Sequence, residues 1–139
     1  MRITTRSEAS RSAIEQAGAE CWIGTPDRLA TLRASLEGVT ILCWLLGCAV
    51  GPASELEALH GPRLEFFLTQ AIDTTVRGVI YEARGTTTPP ELLRRGAAIA
   101  QALAERNAIP LTLLRADPDE ADAWLAAAGA AVQGLLTGA

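Results

Sequence analysis

The sequence contains few reactive side chains, and their spacing does not indicate a particular reaction. The chain contains three cysteines, Cys21, Cys43 and Cys48, and a single histidine, His60, and their spacing matches no familiar metal-binding cluster. All twelve basic residues are arginines, which excludes lysine chemistry within these residues. We therefore predict no metal site and leave the catalytic residues unassigned.

Further candidates lie where strands are expected to end. Tyr81 could donate a proton in a crevice, although a tyrosine in such a place more often packs its ring and leaves its hydroxyl solvated. Glu82 and Arg84 are two residues apart and are expected to pair with each other. Cys48 falls in a loop and is the one thiol expected to be reachable, since the other two cysteines fall in predicted strands. The threonines at 86–88 could donate to a phosphate, but because they precede Pro89 we expect them to cap the helix that follows.

Alternating strand and helix patterns must position these side chains. The predicted strands are Arg2–Thr5, Ala19–Ile23, Val39–Leu46, Val76–Ala83 and Ile109–Arg115. The predicted helices are Ser7–Ala17, one that carries Leu29, Leu32 and Leu36, then Ala53–Leu59, one that begins at Pro62, Pro89–Asn107, and one from Pro118 to the C-terminus. Five strands joined by helical crossovers predict a doubly wound parallel α/β sheet with helices on both faces, in one domain spanning residues 1–139.

Composition and charge exclude several classes of function. With 49% hydrophobic and 20% charged residues, the chain is globular in composition. A formal net charge of −4 and a pI near 5.0, with scattered arginines, argue against a nucleic-acid partner. The longest apolar run, Val39–Leu46, is too short to cross a membrane and suits a buried strand. We expect no membrane association and a cytoplasmic location.

The order of several short motifs resembles a known family. The motifs are Thr5-Arg6 at a strand end, Ala17-Gly18-Ala19-Glu20 at a helix end, Gly24-Thr25-Pro26-Asp27 at a turn, the segment Leu32–Gly38 followed by Val39–Leu46, and Ile109-Pro110-Leu111-Thr112-Leu113-Leu114-Arg115 after a helix. This order is similar to the NmrA-like branch of the atypical short-chain dehydrogenase/reductases, from its second strand onward. The resemblance implies a Rossmann-like fold that binds NAD(P), with NADP as the expected cofactor.

The resemblance also implies roles for three residues. Arg6 stands where the family places a basic residue against the adenosine 2′-phosphate of NADP, although a solvated surface arginine is the alternative. Asp27 stands where the family contacts the adenine, but it could equally be a helix-start residue. Gly47, in the loop that follows the central strand, would line the crevice at the switch point of the sheet, unless its loop is merely a turn.

Two features of the family pattern are missing from these 139 residues. One is the first strand with its Gly-x-x-Gly-x-x-Gly phosphate turn, and the other is the Tyr-x-x-x-Lys pair that polarises a carbonyl. We expect either that an upstream segment has been lost from the gene product or gene model, or that the fold is a self-sufficient reduced form. In the reduced form, Arg2–Thr5 would pair with Val39–Leu46 and the strand order would be 2-1-3-4-5.

These observations leave two functions open. The first is an NAD(P)-binding domain of an NmrA-like or oxidoreductase-related protein, catalytically incomplete as given. The second is a non-catalytic α/β interaction or regulatory domain that acts as a homodimer. Whether the chain is an enzyme is left undecided; if it is one, we expect an NAD(P)-dependent oxidoreductase.

Overall fold

The computed structural model describes residues 1–138, in which strands and helices alternate along the chain. The strands are β1 (Arg2–Thr5), β2 (Glu20–Ile23), β3 (Ile41–Trp44), β4 (Gly78–Glu82) and β5 (Leu111–Leu114). The α-helices are α1 (Arg11–Gln16), α2 (Ala30–Arg33), α3 (Ala53–Leu59), α4 (Pro62–Ala71), α5 (Pro90–Asn107) and α6 (Ala121–Leu136). Short 3-10 helices at Glu8–Ser10 and Ala34–Leu36 adjoin α1 and α2. The predicted α/β class is confirmed.

The strands form two parallel sheets. One contains β1 and β2, with Arg2 opposite Glu20, and the other has the order β3-β4-β5, with Ile41 opposite Gly78. Within each sheet the order agrees with the predicted 2-1-3-4-5. The prediction that β1 pairs with β3 was wrong, because no such ladder forms among residues 1–138.

The composition of β1 explains why it does not serve as a central strand. It is four residues long, three of them polar, and none of the four is buried. Its Arg2 guanidinium donates instead to the carbonyls of Ser35 at 2.5 Å and Glu37 at 3.0 Å. The start of β1 is therefore held against the helical turn that precedes β3, and not against β3 itself.

The main core lies around the three-stranded sheet. All five residues of β4 are buried, as expected for a strand covered on both faces. Helices α4 and α5 contribute apolar side chains to this core, including Leu64 and Phe67 of α4 and Ala97 of α5. Helix α6 lies along β3, β4 and β5, yet none of its residues is fully buried.

Local signals account for most element boundaries. Ser7 Oγ accepts from the Ala9 N–H at 3.1 Å, the expected cap, and Gly18 has the expected positive φ of 87° just after the helix. The last helix begins at Ala121 and not at Pro118. The reason is that the Asp117 carboxylate accepts from the Asp119 N–H at 3.0 Å and closes a separate turn first.

Candidate functional site

Arg6 and Asp27 lie close together at the carboxyl ends of β1 and β2. Arg6 directly follows β1, and Asp27 stands in the turn that follows β2. Because parallel neighbouring strands end at the same edge, the two side chains meet there, with Arg6 Nη1 3.9 Å from Asp27 Oδ2. The Arg6 side chain is 69% exposed. Its guanidinium is thus accessible to a ligand from solvent.

A third residue, Arg63, joins this pair from the first turn of α4. Its Nη1 donates to Asp27 Oδ1, so the two carboxylate oxygens of Asp27 face two different guanidinium groups. Sequence reasoning did not identify Arg63, which is 36 residues from Asp27. The one relevant local signal is Pro62, which begins α4 and thereby fixes where the adjacent arginine stands.

Hydrogen bonds within the turn after β2 position Asp27. The Asp27 N–H donates to Thr25 Oγ1 at 3.2 Å, and the Thr25 N–H donates to Thr31 Oγ1 at 2.9 Å. The alternative that Asp27 starts a helix was wrong, because α2 begins at Ala30 with Leu29 at its N-cap. Asp27 therefore belongs to a hydrogen-bonded turn and is the partner of two arginines.

Gly47 lies at the edge of the other sheet. It follows β3, is buried, and its N–H donates to Glu82 Oε1 at 2.8 Å. The second oxygen of Glu82 accepts from Trp124 Nε1 at 2.9 Å. The buried Glu82 carboxylate thus joins the loop after β3 to α6. The structure brings Arg6 and Asp27 together. Gly47 instead contacts Glu82 and Arg84, at the end of β4 and just beyond it.

The expected pairing of Glu82 with Arg84 was wrong. Glu82 is the last residue of β4 and faces inward, so its oxygens are taken by the Gly47 and Trp124 donors. Arg84 lies beyond the strand, where its Nη2 is 3.2 Å from Asp117 Oδ2. The two side chains separate because one belongs to the buried strand and the other to the exposed loop.

The loops after β3 and β4 contact each other backbone to backbone. A Cβ at Gly47 would lie 2.5 Å from the Arg84 carbonyl oxygen, and a Cβ at Gly85 would overlap the Gly47 carbonyl. Thr87 Oγ1 donates to the Ala49 carbonyl at 2.7 Å across the same contact. The glycines here permit close approach of two loops, and this part of the predicted crevice is filled by the chain itself.

The threonines after β4 do not cap α5 as expected. Pro89 occupies the N-cap, and the cap position makes no side-chain hydrogen bond. Thr86 Oγ1 instead approaches Cys48 Sγ at 3.3 Å. Within residues 1–138, Thr88 Oγ1 is one of two buried side-chain polar atoms without a hydrogen-bond partner, the other being Trp44 Nε1.

Tyr81 and His60 form a buried pair beneath these loops. Both side chains are fully buried, and His60 Nδ1 lies 2.7 Å from Tyr81 Oη, while His60 Nε2 lies 3.2 Å from the Leu46 carbonyl. A carbonyl only accepts, so Nε2 donates to Leu46. In the neutral imidazole, which burial favours, Nδ1 then accepts from the Tyr81 hydroxyl.

Burial shifts the acid–base behaviour of both groups. It lowers the pKa of His60 below its ordinary value, with the Leu46 carbonyl opposing the shift. It raises the pKa of Tyr81, and the Glu82 carboxylate adds to that rise. The Tyr81 hydroxyl is therefore a neutral donor to His60 in the core. The expectation of a packed ring is confirmed, whereas the expectation of a solvated hydroxyl was wrong, because His60 takes the place of water.

The remaining candidate ligands are dispersed. All three cysteines are free thiols, of which Cys21 in β2 is half-buried while Cys43 in β3 and Cys48 in the loop after it are both exposed. The prediction that Cys48 is the one reachable thiol was therefore wrong, because the Cys43 side chain is not covered. Nowhere in residues 1–138 do three or more His, Cys, Asp or Glu side chains group as a metal ion would require. None of the helices in the same range combines the length and apolarity needed to cross a membrane.

Comparisons with known proteins show the fold. Neither the family models nor the curated proteins include a match to this sequence. Among solved structures, the chain is similar to the Citrobacter sp. triphenylmethane reductase complexed with NADP(H), at 20% identity and a TM-score of 0.60 over 82% of this chain and 39% of that one.

Two further structures give the same result. A second structure of the Citrobacter reductase, described in connection with bioremediation of triphenylmethane dyes, has 22% identity and a TM-score of 0.59 over 82% of this chain and 38% of that one. The protein gox2253 has 20% identity and a TM-score of 0.62 over 81% and 42%. The chain thus spans about two fifths of the length of these proteins, and it shares their fold.

Proposed function

We propose that this chain is the NAD(P)-binding part of an oxidoreductase-related protein of the NmrA-like, atypical short-chain dehydrogenase/reductase type, with NADP as its cofactor. The observation that supports this most directly is the exposed Arg6 guanidinium at the carboxyl end of β1, beside Asp27 at the end of β2. Ligands of open α/β sheets bind outside the carboxyl ends of the strands. The shared fold with a reductase crystallised with NADP(H) agrees with this assignment.

In this proposal Arg6 contacts the 2′-phosphate at the adenosine end of NADP. A guanidinium presents a planar fork of donors that matches a phosphate, and it remains charged at all accessible pH values. The ion pair of Arg6 with Asp27 is long, at 3.9 Å, and exposed pairs of this kind contribute little energy. Arg6 can therefore reorient toward a phosphate at small cost.

The described residues offer fewer contacts to the pyrophosphate and nicotinamide groups of NADP than to its adenosine end. The N–H of Gly47 already donates to Glu82, so the loop after β3 offers no free donor at that position. A pyrophosphate site needs several such donors at a helix N-terminus. We therefore expect the 139-residue chain to bind NADP weakly, with a dissociation constant on the order of millimolar or above.

We assign no catalytic residue. The one tyrosine, Tyr81, donates a hydrogen bond to His60 inside the core, and the chain has no lysine to lower a tyrosine pKa. The described residues support a role in cofactor binding, and we propose no reaction.

Titrations with NADP and with NAD test the role of Arg6 in a domain to which a first strand and its glycine-rich phosphate turn have been added, since these should bring the affinity into a measurable range. In that domain we expect Arg6→Ala to weaken NADP binding roughly ten- to a hundredfold and to leave NAD binding nearly unchanged, because only NADP carries the 2′-phosphate. Arg94→Ala, on an exposed position of α5, removes the same charge elsewhere and is the matched control. Equal losses for both cofactors would contradict the proposed contact.

The second candidate function, a homodimer, is supported by the outer face of α6. From Ala123 to Leu136 this helix has no charged residue, and Leu125 and Leu136 are 63% and 54% exposed. Two copies could bury these leucines without charge repulsion. Sedimentation velocity over a concentration series tests this: a dimer that Leu125→Glu converts to monomer supports it, and a monomeric wild-type chain contradicts it.

A further inference from the structure

Two arginines from different parts of the chain face the same carboxylate at the carboxyl ends of β1 and β2. Arg6 comes from the end of β1 and Arg63 from the start of α4, and each faces one oxygen of Asp27. The cluster has a formal charge of +1, from two guanidinium groups and one carboxylate. The Asp27 side chain is 39% exposed, so solvent and solutes reach the cluster.

Two guanidinium groups around one carboxylate form an anion-binding site in which the Asp27 side chain is the bound anion. The two guanidinium groups are already oriented toward a shared point occupied by carboxylate oxygens. A phosphate monoester offers three acceptor oxygens and close to two negative charges at that point. It would therefore bridge the same two arginines more strongly than a single carboxylate does.

We propose that Arg6 and Arg63 together bind a phosphate monoester, and that Asp27 is a built-in counter-ion which this phosphate displaces. The proposal rests on the proposed function, because it identifies that phosphate as the 2′-phosphate of an adenosine ligand. Asp27 thereby sharpens specificity. A dianionic phosphate competes successfully with the carboxylate for the arginines, whereas a neutral 2′-hydroxyl does not.

The test removes the charge of Asp27 while preserving its shape. Asp27→Asn keeps the backbone N–H that donates to Thr25, and Asp73→Asn, at an exposed position after α4, is the matched control for net charge. Adenosine 2′-monophosphate, adenosine and inorganic phosphate are titrated into each protein, with NMR detection suited to weak binding.

We expect Asp27→Asn to bind adenosine 2′-monophosphate roughly two- to fivefold more tightly than the wild-type chain, because exposed ion pairs such as those of Asp27 with Arg6 and Arg63 are weak competitors. The Asp73→Asn variant and adenosine should show no such gain. Arg63→Ala should weaken binding of adenosine 2′-monophosphate, while Arg63→Lys, which keeps a charge at that position, should recover part of it and shows that the loss is not one of folding.

Several results would overturn the inference. These are an unchanged or weaker affinity of Asp27→Asn for adenosine 2′-monophosphate, no binding to any of the variants, or an Arg63→Ala variant that binds as the wild type does. Inorganic phosphate binding as tightly as the nucleotide would overturn its assignment to a nucleotide. The proposed function is judged separately: an Arg6-dependent preference for NADP over NAD would stand even if Asp27 and Arg63 proved irrelevant.

Discussion

The two sheets of this molecule are stabilised in different ways. In the three-stranded sheet every residue of β4 is buried, and apolar side chains of α4 and α5 pack on it. In the two-stranded sheet no strand residue is buried, and α1 has none either. The smaller sheet depends on polar contacts, such as those of Arg2 with Ser35, Glu37 and Glu20. Most of the stability therefore resides in the larger sheet, while the exposed charged site lies on the smaller one.

The largest expected effect is the loss of a core leucine. Leu64 of α4 is fully buried, so Leu64→Ala should lower the free energy of unfolding by about 2–5 kcal/mol through lost burial and a residual cavity. Ile14 of α1 is only partly buried, and Ile14→Ala should cost about 1 kcal/mol or less. Urea denaturation of both variants measures the contrast, and similar losses would show that the two regions are equally important for stability.

Two helical glycines, Gly96 of α5 and Gly129 of α6, compare a crowded with an open position in the helices next to the three-stranded sheet. A Cβ at Gly96 of α5 would overlap Tyr81 Oη, whereas a Cβ at Gly129 of α6 would meet nothing within 4 Å. Gly96→Ala should therefore lower the free energy of unfolding by about 1–3 kcal/mol. Gly129→Ala should raise it by about 0.4–1 kcal/mol, since alanine restricts the unfolded chain and favours helix. The interpretation fails if Gly96→Ala is neutral in thermal or urea unfolding.

A smaller, pH-dependent effect is expected from His60. Its pKa in the folded state is below the ordinary value, so the unfolded chain binds the proton more readily. The contribution of neutral His60 is complete above about pH 6.5 and declines as the pH falls below that value toward the folded-state pKa. Urea unfolding between pH 7.5 and 5 measures the decline.

Because His60 is the single histidine, the His60→Gln variant is a direct control. It should be less stable at pH 7.5, by about 1–3 kcal/mol if the Tyr81 hydroxyl is left without its partner. It should also show a flatter dependence on pH over this range. The same slope in both proteins would assign the effect to other groups.

The features that were predictable from sequence depend on local signals. The apolar run at Val39–Leu46 predicts β3, and Ser7 predicts the cap it makes. The expectation that this strand is buried was wrong, because Trp44 is the one buried residue of Ile41–Trp44 and Cys43 is exposed. The positions of Arg6 and Asp27 just after two successive strands were predicted, but their contact was not; it follows from the parallel pairing of β1 and β2. For each correct prediction, a short stretch of sequence, with the usual crossover geometry, contains the information.

The features that were not predictable depend on contacts between distant residues. Arg63 reaches Asp27 across 36 residues and Trp124 reaches Glu82 across 42, and no motif marks either partner. The pairing of Glu82 with Arg84 was inferred from spacing alone, but burial of one side chain and exposure of the other separate them. The prediction of a β1–β3 ladder was wrong, because Arg2 at the start of β1 donates to the carbonyls of Ser35 and Glu37, which lie outside the strands.

The most direct test of the account is an NMR titration of the isotopically labelled chain with adenosine 2′-monophosphate. The account predicts saturable shifts of the backbone amides around Arg6, Asp27 and Arg63, and little change in the amides of β4. It further predicts that Arg6→Ala removes these shifts while Arg94→Ala retains them. Shifts confined to the loops after β3 and β4, or shifts that persist in Arg6→Ala, would contradict the claim that the exposed edge of the smaller sheet recognises the 2′-phosphate.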